Sequence, residues 1–177
     1  MKIRRVTALA FSFVTLLLAA PLIAQDSPFL ARVSFEAGGL LVQGQQEVEW
    51  AHATTNSVVL PGDILWAEEG EISEVELYGG SFLAIADQSK AEFVSLQPSP
   101  RIKAWVGSFY VQRLDRSSGV FDVETPAGRI SIGAGSIVRV DVEEDGYTSV
   151  IMRAGQAEVR AHTGARSVVR ARERIFV

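Results

Sequence analysis

Residues 137–152 read IVRVDVEEDGYTSVIM, and this stretch decides the fold class. Val138, Val140 and Val142 alternate with polar residues, and the same alternation resumes after Asp145-Gly146. A period of two places every second side chain on one face of an extended strand. Aspartate followed by glycine favours a type I′ turn, in which both central residues need a positive φ. The stretch therefore predicts two antiparallel strands joined by a tight turn.

The same alternation recurs along the chain from about Phe29 onward, and glycine-rich turn signals separate the runs. The alternating runs include 75–77, 83–85, 105–111, 121–123, 130–132 and 157–159. Many short strands separated by such turns predict an all-β domain. The loose repetition of glycine, strand and glycine is compatible with a β-solenoid-like roll and equally with a sandwich.

The N-terminus predicts a secretory signal peptide, in helical form, over residues 1–24. Three basic residues precede an apolar stretch from Val6, and Ala24 stands just before polar residues. This layout favours cleavage after Ala24, and it predicts a periplasmic or secreted protein. The alternative is an uncleaved anchor, because the apolar stretch is long enough to span a bilayer.

Residues 25–30 are then a linker, and residues 31–177 form the β domain. The strand pattern runs to Val177 without a polar tail, which leaves open that the sequence is a fragment of a longer protein. The chain contains no cysteine, which excludes disulfides, thiolate metal sites and a cysteine nucleophile.

Charge is distributed unevenly along the 177 residues. Residues 26–100 hold 12 acidic and two basic residues, whereas residues 153–177 hold six arginines and two acids. Such a dipolar domain can steer a charged partner or stack on itself. The alternative is a solvated surface with uneven patches.

Six stretches together resemble the FecR-like periplasmic domain. They are LPGDIL at 60–65, SEVELYGGSFLAI at 73–85, VGSFYV at 106–111, FDVETPAG at 121–128, IGAGSIVRV at 132–140 and TSVIMRAGQAEV at 148–159. Each motif alone is weak, but their order and spacing match the family over about residues 31–177. The resemblance implies an all-β fold whose motif residues mark turns and strands.

The fold-marking residues are Gly62, Asp63, Gly80, Ser81, Gly107, Thr125, Pro126 and Gly155. We expect Gly107 and Gly155 at a bulge or a close backbone approach. We expect the Asp63 side chain to bond the backbone two residues on, and Thr125-Pro126 to interrupt a ladder.

The chain departs from the family pattern in three places. Gly80 stands where the pattern has aspartate, so that turn is expected to differ. Residues 134–136 replace the usual Gly-Thr, so Gly133 and Gly135 compete for the bend. The best-known members carry a cytoplasmic anti-sigma region and a transmembrane helix before this domain, whereas this chain starts with a signal peptide. The resemblance is therefore to the stand-alone exported form, and the regulatory role of those members is not carried over.

Candidate metal ligands are sparse, and we expect no cofactor. His52 and His162 lie far apart in sequence. Asp141, Glu143 and Asp145 have the spacing of a partial calcium loop, but they lack the distant bidentate glutamate. On a strand, their alternation predicts one solvated face.

Two charged clusters are candidate partner surfaces. Glu71, Glu74 and Glu76, together with Glu68 and Glu69, form an acidic patch, and a pair of carboxylates can act as acid and base on a glycan. Arg170, Arg172 and Arg174 alternate, which predicts one face of a strand that either binds a partner or blocks edge-to-edge aggregation. Together with Arg160 and Arg166, they could also meet a polyanion such as lipopolysaccharide.

The sequence predicts a non-catalytic periplasmic interaction or scaffold domain. The alternative is a sensor or regulatory module coupled to an envelope receptor or signalling partner, and the remote alternative is a glycan-active enzyme. The expected partner is an unidentified envelope protein or polymer. We expect no nucleic acid partner, and contact with a membrane only through the signal peptide during export.

Overall fold

The structure is a computed structural model, and it describes residues 31–77 and 79–177. This part of the chain forms 16 strands and no helix, which confirms the predicted all-β class. The predicted signal peptide at 1–24 and the linker at 25–30 lie outside the described residues. Within the described ranges, no helix has the length and apolar character to span a membrane.

The strands are short, apart from one. They are β1 Ala31–Phe35, β2 Leu40–Gln43, β3 Ala51–His52, β4 Val58–Val59, β5 Ile64–Ala67, β6 Ser73–Leu77, β7 Ser81–Ile85, β8 Ser89–Ser95, β9 Arg101–Arg113, β10 Phe121–Glu124, β11 Gly128–Ile132, β12 Ile137–Val142, β13 Thr148–Ala154, β14 Gln156–Ala161, β15 Arg166–Arg170 and β16 Arg174–Phe176.

The long strand β9 belongs to two sheets. Its first half pairs with β8 and β10, and its second half pairs with β7 and β12. Sheet A has the order β4-β1-β6-β7-β9-β12-β13-β16. Sheet B has the order β3-β2-β5-β8-β9-β10-β11-β14-β15. The pairing of β9 with β10 is parallel, and the other pairings are antiparallel.

Successive hairpins alternate between the two sheets. The β6–β7 and β12–β13 hairpins lie in sheet A, whereas β10–β11 and β14–β15 lie in sheet B. The chain thus rolls from one sheet to the other and back. This arrangement combines the two predicted architectures, because it repeats like a solenoid and encloses its core between two sheets.

One hydrophobic core lies between the sheets, and the alternation of the strands builds it. Val138, Val140 and Val142 of β12 are buried, and Arg139 and Asp141 between them lie on the outer face. The buried side chains of both sheets form a single cluster. Burial of alternate aliphatic side chains therefore supplies the main stabilising term.

Two glycines let the chain cross between the sheets. A Cβ on Gly107 would lie 2.0 Å from the Ser89 Oγ, and a Cβ on Gly155 would lie 2.2 Å from the Ser136 Oγ. Both glycines have a positive φ, at 104° and 70°. The close backbone approach predicted at both positions is confirmed.

At each of these corners, a buried serine hydroxyl bonds the residue that follows the glycine. The Ser108 N–H donates to the Ser89 Oγ at 2.9 Å, and the Gln156 N–H donates to the Ser136 Oγ at 3.2 Å. Both serines are fully buried. The two corners are thus structurally equivalent, and they correspond to the glycines of the loose repeat seen in the sequence.

A third corner, between β1 and β2, uses a carboxylate. The Ala37 N–H donates to Glu71 Oε1 at 2.9 Å, and the Gly39 N–H donates to Glu71 Oε2 at 2.8 Å. Glu71 is only 2% exposed. Its prediction as part of an exposed acidic surface is therefore wrong, because the carboxylate is needed by two backbone donors.

The hairpin at Asp145-Gly146 pairs β12 with β13 as predicted, but its turn type differs. Gly146 has a φ of 86°, and Asp145 does not have a positive φ. The Gly146 N–H donates to the Glu143 carbonyl, and the Glu143 N–H donates to the Tyr147 carbonyl, each at 2.9 Å. This is a three-residue loop with the glycine in the bulge position, so the type I′ prediction is wrong.

Other turn residues behave largely as the motifs imply. Thr125-Pro126 ends β10, and the Thr125 N–H donates to the Gly128 carbonyl at 2.8 Å. Of the two competing glycines, Gly135 takes the left-handed φ of 67°. Asp63 differs from expectation, because its carboxylate accepts the N–H of Leu60, three residues back, at 2.8 Å.

Candidate functional site

The outer face of sheet B, over β9 to β15, carries a surplus of basic side chains that we call the arginine face. It consists of Arg101, Lys103, Arg129, Arg160, Arg166 and Arg170. The alternation of these strands sends the aliphatic residues inward and the charged residues outward. The face is therefore a direct product of the strand pattern.

Strand register brings one row of this face together. Lys103 lies opposite Glu124, Glu124 opposite Arg129, Arg129 opposite Arg160, and Arg160 opposite Arg166. The last three members of the row are all arginines. Like charges directly opposite one another on a sheet are destabilising, so this part of the row has an unfavourable electrostatic energy in the free protein.

Acidic neighbours neutralise only part of the row. Arg129 pairs with Glu124 at 2.6 Å, and Arg160 reaches Glu158 at 3.4 Å. Arg166 and Arg170 make no ion pair with any residue in the described part of the chain. The excess positive charge therefore lies toward the β15 edge.

Two adjoining cavities line this face. One, of about 390 Å³, lies between Trp105 and Pro126, and the other, of about 500 Å³, lies over Arg160. Arg129 and His162 line both cavities, so the two adjoin, and we call them together the groove. The groove offers cationic side chains together with an aromatic wall.

Trp105 supplies that aromatic wall, and the residue is 41% exposed. The Lys103 Nζ lies 3.7 Å from the ring centroid, which is a close cation–π contact. Such a contact holds the lysine stem against the ring and leaves an amphipathic wall at one end of the groove.

The predicted arginine trio is not one surface. Arg170 ends β15, Arg174 begins β16 in sheet A, and Arg172 lies in the turn between them with a φ of 72°. The alternation does not lie on a single strand, so the prediction of a shared face is wrong. Only Arg170 belongs to the arginine face.

The predicted acidic trio is also divided. Glu74 and Glu76 do share the outer face of β6, as alternation requires. Glu74 accepts the Ser34 hydroxyl at 2.7 Å, and Glu76 pairs with Arg32 at 2.5 Å. Glu71 is the buried corner carboxylate described above, so the three do not form one exposed acid–base cluster.

The calcium candidate does not assemble. Asp141 lies on β12, where its carboxylate accepts the Arg139 Nε–H and the Ser108 hydroxyl, each at 2.6 Å. Glu143 and Asp145 lie beyond the strand, in the hairpin loop. Among the described residues, no three acidic, histidine or cysteine side chains are placed to hold a metal ion.

Arg113 is the one buried cation in the core of the described structure, and it was not singled out from the sequence. Its Nη1 donates to the carbonyls of Ile132 and Gly119 at 2.7 and 2.9 Å, and its Nη2 donates to the carbonyl of Ser118 at 2.7 Å. Burial lowers the pKa of this guanidinium. The residue fastens the 118–119 loop to the sheets and does not face the groove.

Sequence reasoning also missed Lys103, Trp105 and Arg129 as parts of one site. They lie on different strands, so only the pairing register unites them. A local signal did exist for Arg160 and Arg166, because a hairpin loop ending at Gly164 places them opposite each other.

Comparison with known proteins is informative about the fold. No protein-family model matches the chain, and no curated protein matches it. Two crystal structures of a "putative anti-sigma factor" from Parabacteroides distasonis ATCC 8503, at 2.50 and 1.65 Å resolution, are similar to it with a TM-score of 0.57. Their sequences are 18% and 17% identical to this chain.

The similarity covers 64% of this chain and 54% of the solved one, so the chain spans about half the length of that protein. At this level of identity, the likeness establishes a shared β fold. It says nothing by itself about the residues of the arginine face.

Proposed function

We propose that this chain is an exported, non-catalytic binding module of the FecR type that holds an envelope partner on the arginine face. The observation that carries the proposal is the surplus of guanidinium groups beside an aromatic-walled groove. Arginine and aromatic side chains are enriched at binding surfaces. The order of the FecR-like motifs supports the family, and the signal-peptide pattern supports a periplasmic or secreted location.

A sensor or regulatory role for the same surface is the second candidate. The fold likeness to a protein described as an anti-sigma factor favours it over glycan chemistry. In this variant, the partner is a receptor or signalling protein of the envelope. Both carboxylate oxygens of Glu71 are engaged by backbone N–H groups, which counts against its use as a glycan acid or base.

Site-specific photo-cross-linking in the exporting cell tests the proposal. Trp105 and Tyr110 are matched positions, since both are aromatic, both lie on β9, and they are 41% and 38% exposed on the outer faces of sheets B and A. Benzoylphenylalanine replaces each residue in turn. We expect a discrete adduct from position 105 and little from position 110.

Two results would count against the proposal. Equal adducts from both positions, or adducts from position 110 alone, would remove the arginine face as the partner surface. Absence of the protein from the periplasmic and secreted fractions would overturn the proposed location.

A further inference from the structure

The outermost strand of sheet B leaves backbone groups without partners. In the described structure β15 pairs with β14 alone. The Ala161 N–H donates to the Ala165 carbonyl at 2.9 Å, so the odd-numbered residues of the strand bond to β14. The N–H and C=O groups of Arg166 and Val168 therefore point away from the sheet, toward its open edge.

The next outward-pointing residue along the strand is already satisfied. The Arg170 N–H donates to a carboxylate oxygen of Glu173 at 2.7 Å, and the Glu173 N–H donates to the Arg170 carbonyl at 2.9 Å. The open edge is thus confined to Arg166 and Val168. It offers two donors and two acceptors in the spacing that an added antiparallel strand needs.

Two of the three outward side chains along this edge are arginines, and one carboxylate, that of Glu173, lies at its Arg170 end. Arg166, Val168 and Arg170 share the outer face and are all exposed, Val168 to 47%. On the neighbouring strand, Arg160 lies opposite Arg166 and Glu158 lies opposite Val168. A strand added at the edge with acidic residues opposite the two arginines and an apolar residue at Val168 would complement this pattern.

A second copy of the same edge does not fit. Two β15 strands paired antiparallel about Val168 would set Arg166 of one chain against Arg170 of the other. Like charges directly opposite each other oppose such pairing. The same arginines that disfavour self-pairing can donate hydrogen bonds to carboxylates.

We infer that the open edge of β15 binds an extended acidic segment of a partner protein by strand addition. This inference rests on the proposed function, since the inference names the class of partner that the arginine face binds. The added segment carries acidic residues at two positions four apart, with an apolar residue midway. Main-chain hydrogen bonds to Arg166 and Val168 bind the segment, and the guanidinium groups of Arg166 and Arg170 favour acidic side chains on it.

Titration with a short capped peptide tests the inference. The probe contains Glu-Thr-Val-Thr-Glu, and its matched control contains Lys-Thr-Val-Thr-Lys. We expect the acidic peptide to bind about tenfold more tightly, and the Arg166 and Val168 amide protons to gain protection from exchange. Equal binding of both peptides, or protection confined to other strands, would overturn the inference.

Three variants separate backbone pairing from charge. Val168→Pro removes an outward N–H that bonds nothing in the free sheet, so the fold should tolerate it; Val168→Thr keeps that N–H and serves as its control. The double variant Arg166→Glu, Arg170→Glu keeps the backbone and reverses the charge. Thermal unfolding confirms that each variant is folded.

We expect the peptide to lose most of its affinity for the proline and the glutamate variants, and to bind the threonine variant as it binds the native chain. Heparin, a sulfated polysaccharide, should lose affinity only for the glutamate variant. Undiminished peptide binding by Val168→Pro would reduce the site to charge alone and overturn strand addition. If sedimentation showed that the native chain is a dimer and that Val168→Pro is a monomer, a second copy of the chain would occupy the edge. That result would also overturn the inference.

The fate of the position-105 adduct distinguishes the two proposals. If the adduct forms in cells and the peptide experiment fails, only the strand-addition inference is lost. If no adduct forms from position 105, the proposed function fails regardless of the peptide result.

Discussion

On the outer face of sheet A, Asp141 accepts from Arg139 and Ser108 at 2.6 Å each and from Ser149 at 3.2 Å. On the outer face of sheet B, Arg160 and Arg166 lie opposite each other, and Arg166 has no ion pair in the described structure. Both faces are charged, but the second is paired only in part, because Arg129 and Arg160 have acidic partners and Arg166 has none in the described structure. A paired network stabilises its own sheet, whereas unpaired like charges leave electrostatic energy that a ligand can relieve.

The largest expected loss of stability comes from a substitution in the interior, where a buried guanidinium group can be compared with the exposed ones. Arg113 is 3% exposed and donates to three backbone carbonyls. Arg113→Met leaves the buried Ile132 carbonyl without this donor and releases the 118–119 loop, so we expect it to lower the free energy of unfolding by about 3 kcal/mol. Urea unfolding monitored by circular dichroism measures the change.

The matched control for that change is Arg139→Met on the outer face of sheet A. Water can replace its hydrogen bonds, so we expect a loss of only about 1 kcal/mol. If the two variants lost the same free energy of unfolding, burial would not explain a difference in stability between the two guanidinium groups.

The two outer faces can be compared directly by removing one carboxylate from each. Asp141→Ala leaves Arg139 and two serine hydroxyls without their acceptor, and we expect a loss of about 1–2 kcal/mol. Glu158→Ala on sheet B breaks an exposed pair at 3.4 Å and should change the free energy of unfolding by less than about 0.5 kcal/mol. Similar losses from the two variants would contradict the distinction between a tightly paired face and a partly paired one.

The smallest effect concerns Asp63, whose carboxylate makes no ion pair with any residue of the described structure. Burial raises the pKa of Asp63 above its usual value of 3.8, and the nearby Glu47 charge adds to the rise, while the hydrogen bond from the Leu60 N–H opposes it. Between the unfolded pKa and the raised folded pKa, the native state holds more protons than the unfolded state. The free energy of unfolding therefore falls as pH rises through that window.

Asp63→Asn keeps an acceptor for the Leu60 N–H and removes this penalty. We expect the variant to gain stability relative to the native chain as pH rises through the window, and to keep that gain at neutral pH. Urea midpoints at acidic and neutral pH measure the gain. Glu47→Gln should reduce the stability gained by Asp63→Asn, because it removes one cause of the raised Asp63 pKa. A stability difference between Asp63→Asn and the native chain that does not change with pH would contradict the raised pKa.

Much of the fold could be predicted because its signals are local. The alternation at 137–142 predicts which side chains of β12 are buried, and the burial pattern follows it. Gly107 and Gly155 could be recognised as corners, since a left-handed φ beside a close serine needs glycine. The type I′ turn at Asp145-Gly146 was wrong because one extra residue in a loop changes the turn while leaving the pairing intact.

The candidate site could be predicted only in part. Arg160 and Arg166 lie on one hairpin, so their shared face follows from the turn at Gly164. Arg172 and Arg174 share the same alternation in sequence, yet a turn separates them from β15. Alternation predicts which residues share a face only within a single strand. The sequence at the end of β15 contains no strong turn signal that would mark where the strand stops.

What the sequence by itself determined is the β class, the inward and outward residues of each run, and the corner glycines, because each depends on residues adjacent in the chain. Only the tertiary structure decided that Arg129, Arg160 and Arg166 form one row, that Glu71 is a buried corner clamp, and that β15 is an open edge. These features depend on which strands pair and in which register, and that choice is set by packing of the whole core.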